Sequence, residues 1–195
     1  MSKTTSDVTM ARDVVLVCVP DDDRRRRITT ALREEWPVRT AHDEPETVAS
    51  LDRDVAVLVV DAAECAVESA LDRREERNLR FETAGLVAPD AAVDDRFDAR
   101  LETPVRTGEL RATVERLHRR VRYDRLLDRY YSLAERYATL TGDGDPEELA
   151  RVEGRLADLR QRLDRLVDGL DDADAFDAAV GDYDGDDDEP SFDDI

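Results

Sequence analysis

VLVCVPDDDRRRR, residues 15–27, sets an apolar run against three aspartates and then four arginines. With Val14 the first part is a continuous apolar run, rich in β-branched valine and ending at Val19, the composition of a strand covered on both faces. From Arg24 the chain places Ile28, Ala31, Leu32 and then Trp36 at helical spacing. A buried strand running directly into an amphipathic helix is the first half of a βαβ unit. The aspartates between them admit two readings. Asp21, Asp22 and Asp23 cap and favourably charge the first helical turn, or a slipped loop carries Asp22 or Asp23 to a metal ion held by oxygen ligands.

The same alternation continues outward. PVRTA (37–41) is a short extended piece, EPETVASLD a weak helix, and DVAVLVVD (54–61) the strongest buried strand in the chain. A helix-like AAECAVESALDRREER follows, then TAGLVAP (83–89), a short acidic stretch, ARLETP (99–104), and a helix starting near Thr107. Five strands with intervening helices predict an α/β domain with a parallel, doubly wound sheet over residues 13–121, preceded by a loose N-terminus at 1–12. In such sheets functional residues collect at the carboxyl ends of the strands, here Pro20–Asp23, Asp61–Ala63, Ala88–Pro89 and Thr103–Pro104.

The second unit, 122–170, reads as an α-helical hairpin. Leu110, Val114, Leu117 and Val121 form one apolar stripe; the phase breaks at Tyr123-Asp124, and Leu126, Tyr130, Leu133, Tyr137 and Leu140 form another. After TGDGD, Asp145, Pro146 and Glu148 make a helix start with a capping box. Leu149, Val152, Leu156, Leu159, Leu163, Leu166 and Leu170 then alternate steps of three and four, a heptad seam suited to a protein partner or a second copy.

The net charge is -20, but the last 25 residues, Asp171–Ile195, hold 12 acids and no base. That composition predicts a disordered acidic tail, with Phe176 and Phe192 as weak anchors. Of 29 basic residues only Lys3 is lysine, which fits a surface adapted to high salt or a GC-rich coding bias. Either way, generic electrostatic attraction to nucleic acid is disfavoured. Cys18 and Cys65 have no metal spacing; Cys18 reads as a small buried hydrophobe. No signal core and no run of about 18 apolar residues is present, so a cytoplasmic protein without a membrane span is expected. His42 and His118 alone make no metal site, and no Gly-rich phosphate loop or nucleophile constellation supports an enzyme.

Two resemblances follow from these segments. VLVCV, VRTAHDEPETVASLD, DVAVLVVD and TPVRTGELRATVERL resemble in order the strands and final helix of a response-regulator receiver domain, a five-stranded flavodoxin-like fold. YDRLLDRYYSLAERYATL and the leucine-rich helix after it resemble the HalX domain of haloarchaeal proteins. The receiver resemblance implies Asp61 as phosphoacceptor and a histidine kinase as partner. It also implies an acid pair after the first strand for Mg²⁺, a Ser or Thr after the fourth, and a Lys before the proline of the fifth. The acid-pair positions fall on Val19 and Pro20, the switch region on Gly85, and the lysine position on Thr103, next to Pro104. The receiver is therefore degenerate, with the aspartates, which begin at Asp21, one or two residues late for the metal. The expected function is signal transduction or transcription regulation by protein contact, with no cofactor, and Mg²⁺ only if Asp61 is still phosphorylated. DNA binding through the arginines of LHRRVRYDR is a third reading, weakened by the interleaved Glu115, Asp124 and Asp128.

Overall fold

Five strands form one all-parallel sheet whose spatial order, numbered along the chain, is 2-1-3-4-5, that of flavodoxin-like folds. The computed structural model describes residues 13–91, 95–143 and 145–167. The expected N-terminal tail and acidic tail lie outside them. The elements are β1 (Val14–Cys18), α1 (Asp22–Leu32), β2 (Val38–Ala41), α2 (Glu44–Ser50), β3 (Val55–Asp61), α3 (Glu68–Arg77), β4 (Glu82–Val87), β5 (Ala99–Glu102), α4 (Thr107–Asp143) and α5 (Pro146–Val167).

β1 and β3 are buried at every residue, which is why both read as unbroken apolar runs. Successive side chains of a strand point to opposite faces. Val15, Val17 and Val19 accordingly enter one core with Ile28 and Leu32 of α1 and Leu110, Val114, Leu117 and Val121 of α4. Leu16 and Cys18 enter the other with Leu58, Val60, Cys65, Val67, Ala70 and Phe81. Each fully buried aliphatic side chain contributes roughly 1.5–3 kcal/mol.

Two local features depart from the expected pattern. α3 begins at Glu68 rather than near Ala62, leaving residues 62–67 as a turn hung on Asp61, whose carbonyl accepts from the Glu64 and Cys65 amides at 3.2 and 2.9 Å. Between β4 and β5 the described residues hold no helix. The return is anchored instead by Asp98, which accepts from the Thr83 amide (2.7 Å) and hydroxyl (2.8 Å). Phe97 lies over Gly85, where a Cβ would stand 2.8 Å from its ring.

The boundary expected at 121/122 falls inside one helix, since α4 runs unbroken for 37 residues, about 55 Å at 1.5 Å per residue. From Val121 to Leu126 is five residues, roughly 140° around a helix of 3.6 residues per turn. The apolar stripe thus turns from the sheet toward α5 without any break in the backbone. Arg125 secures the junction: its guanidinium donates to Asp13 (2.9 Å), to the Arg80 carbonyl (2.8 Å) and to the Val55 carbonyl. On α5, Val152 and Leu163 are buried, while Leu149, Leu156, Leu159 and Leu166 are half-exposed along the hairpin. No described helix is long and apolar enough to cross a membrane.

Candidate functional site

The three aspartates open the helix. Asp21 is the N-cap of α1, its Oδ1 accepting from the Arg24 amide at 2.7 Å. Asp22 pairs with Arg25, and Asp23 with Arg26 at 3.6 Å, each three residues on. Both carboxylates face water, at 75% and 83% side-chain exposure. The start of the helix thus uses both of the carboxylates considered for a metal in local pairs. Arg25, buried, donates to the Val19 carbonyl (2.6 Å) and the Pro20 carbonyl (3.0 Å), closing the end of β1 where the resemblance would seat an acid pair.

Asp61 stands at the carboxyl end of β3, as expected, and is buried. Its Oδ1 accepts from the Ala63 amide at 3.2 Å, and its Oδ2 forms an ion pair with the Arg24 guanidinium. The Asp61 side chain is 3% exposed and that of Arg24 42%. A monovalent cation supplied by the chain itself thus stands against the Asp61 carboxylate. Mg²⁺ needs several hard oxygen donors in near-octahedral arrangement. Among the described residues no three His, Cys, Asp or Glu side chains converge in that way, and Val19 and Pro20 offer no side-chain oxygen. The donor set does not fit the ion.

The switch positions are likewise committed to structure. Gly85 lies one residue before Leu86, the β4 residue level with Asp61, and its missing side chain makes room for Phe97. The one hydroxyl in β4, that of Thr83, is bound to Asp98. Thr103, in the lysine position, donates its hydroxyl to the Val87 carbonyl at 3.1 Å and precedes Pro104 through a cis peptide. Thr103 and Pro104 line a cavity of about 460 Å³ with Arg24, Arg27, Leu86 and Leu110, so they share it with the arginine that covers Asp61.

Sequence reasoning missed Arg24 as a partner of Asp61. The signal was available in four successive arginines placed one turn beyond a strand end. It also left Cys65 unplaced; the turn after Asp61 brings its Sγ to 2.9 Å from that of Cys18. The arginines of LHRRVRYDR are largely paired internally: Arg119 with Glu115 (2.6 Å), Arg120 with Glu82 (3.9 Å), and Arg122 and Arg125 with Asp13 (3.9 and 2.9 Å).

The helical arm can be compared with known families. Residues 119–180 match the HalX domain. The HalX segment begins within α4, so its first helix is continuous with the one that closes the sheet. Over 162 residues the chain is 34% identical to a candidate transcriptional regulator of Haloferax volcanii, covering 80% of this chain but 28% of that relative. Among solved structures, a Francisella response-regulator receiver domain is 22% identical, with a TM-score of 0.47 over 55% of this chain and 98% of its own. A Bacillus halodurans response-regulator receiver domain protein is 18% identical, with a TM-score of 0.45 over 53% of this chain and 94% of its own.

Proposed function

We propose that this chain is a signalling protein in which a receiver-like sheet domain acts without phosphoryl transfer and passes its state to a partner protein through the HalX helices. The observation that carries the reading is the Arg24–Asp61 ion pair. A phosphoacceptor must present an ionised, accessible carboxylate beside a metal that neutralises the incoming charge; here the carboxylate is buried under an arginine, and among the described residues no cluster of three metal-ligating side chains forms. The unbroken α4 supplies the mechanical link, because Leu110–Val121 belong to the core of the sheet and the same helix forms half of the HalX hairpin. The half-exposed leucines of α5 are the surface on which a protein partner or a second copy would seat. In this reading the protein is a regulator and not an enzyme, it needs no cofactor, and a histidine kinase is not its partner.

The test is incubation with acetyl phosphate and Mg²⁺ in molar KCl, followed by intact mass. The expected result is no phosphoryl adduct. An adduct that disappears in Asp61→Asn would overturn the reading and restore Asp61 as a phosphoacceptor.

A further inference from the structure

Cys18 and Cys65 are 47 residues apart in sequence and belong to different elements, the end of β1 and the turn after β3, yet their sulfurs stand 2.9 Å apart. Both are free thiols, at 1% and 6% exposure. Their settings differ in a way that matters for chemistry. Cys18 sits inside a strand bonded on both sides, opposite Ala41 and Val60. Cys65 lies in a short surface turn whose neighbours Ala63, Glu64 and Ala66 are exposed. A small outward movement of that turn would present Cys65 to solvent while Cys18 stays in the sheet.

We propose that Cys18 and Cys65 are a redox pair that closes to an intramolecular disulfide. The oxidant class is a small organic disulfide such as oxidised glutathione. The Cys65 thiolate attacks one of its sulfurs, giving a mixed disulfide and releasing one small thiolate. The Cys18 thiolate then attacks the Cys65 sulfur, forming the Cys18–Cys65 bond and expelling the second thiolate. The two protein protons end on the two released thiols, so one disulfide is reduced as another is made. Burial pushes the Cys65 thiol up, with Cys18 and then Asp61 adding to the effect, so the first attack needs the opened turn and speeds up with rising pH.

The bond would reach the candidate site directly. The turn that carries Cys65 is the one whose amides bind the Asp61 carbonyl and carboxylate. Closing the disulfide would tie this turn to β1, whose own end is held by Arg25. Oxidation state, rather than phosphorylation, would then set the freedom of residues 62–67 beside the Arg24–Asp61 pair. The chemistry of the thiols stands whether or not Asp61 accepts phosphate, and the readout below does not involve Asp61.

The test is equilibration of the full chain in molar KCl across a series of reduced and oxidised glutathione ratios, approached from both the reduced and the oxidised protein. A parallel series is run in guanidinium chloride. Samples are acid-quenched, alkylated and weighed, and the joined peptides are mapped. Because folding already holds the sulfurs together, the folded chain should reach half-oxidation at a ratio at least about a hundredfold more reducing than the denatured chain, with the Cys18 peptide linked to the Cys65 peptide. Cys65→Ser, a change in the surface turn, should leave only a glutathione adduct or a free thiol at Cys18 and no loss of two hydrogens. A folded chain that oxidises no more readily than the denatured one, or that accumulates mixed disulfides instead of the internal bond, overturns the proposal.

Discussion

Removing Arg24 should cost more than removing the aspartate it covers. In Arg24→Ala the Asp61 carboxylate, 3% exposed in the wild type, keeps one amide, from Ala63, with no cation against it. Deleting one partner of a fully buried ion pair costs about 3–5 kcal/mol. Arg24 is 42% exposed, so solvent already screens the pair, and about 2–3 kcal/mol is the expected loss. In Asp61→Asn the guanidinium can swing into water and the Asn oxygen can still accept from Ala63, so about 1 kcal/mol is expected. The double variant should be no worse than Asp61→Asn alone, because the arginine then has no buried charge to cover, giving a coupling of about 2 kcal/mol. The assay is guanidinium chloride unfolding of the wild type and three variants at constant ionic strength, followed by Trp36 fluorescence and far-ultraviolet circular dichroism. An Arg24→Ala loss no larger than that of Asp61→Asn, or strict additivity in the double variant, would refute the argument that the buried carboxylate depends on this arginine.

Other outcomes follow from single buried groups. Glu82 is pushed up to about 8 by burial, with Asp98 adding to it and Arg120 opposing. The fold therefore prefers its acid form: that contribution is intact below about pH 4.5, the unfolded value, and lost as pH rises toward 8. Glu82→Gln should then raise stability by a few kcal/mol at neutral pH and leave it unchanged near pH 4, as read by chemical unfolding at both. His118 is held below its ordinary value, chiefly by burial, with the Asp13 charge working the other way. Its contribution is present above about pH 6.5 and lost as pH falls through the folded value, so His118→Gln should flatten the fall in thermal midpoint between about pH 7 and 5. In the hairpin, Leu163 is buried and Leu159 half-exposed. Leu163→Ala should cost about 2–4 kcal/mol and Leu159→Ala less than half as much. Sedimentation of the Leu159 variant over a concentration series then reports whether the exposed side of the seam holds a second copy.

Where burial is complete and local, the residues announce it. Val14–Val19 and Val55–Asp61 could only be strands covered on both faces, and Asp145-Pro146 with the leucine series after it could only start and sustain a helix. The strand–helix alternation that follows from them is enough to imply a parallel doubly wound sheet, and Asp61 at the end of its strongest strand is legible for the same reason. What tertiary structure alone decided are the pairings between distant residues. The periodicity breaks at Tyr123-Asp124, but the backbone does not, because Arg125 bridges three chain segments that meet only in the folded sheet. Gly85 carries no mark of the Phe97 ring that requires it. Arg24 is one of four identical neighbours until the sheet order sets Asp61 beside it, and Cys18 and Cys65 are two isolated cysteines until the β1–β3 register brings their ends together. Periodicity and capping act within a few residues and survive in one dimension. Charge pairing and thiol proximity depend on distances across strands, which the chain acquires only when its sheet closes.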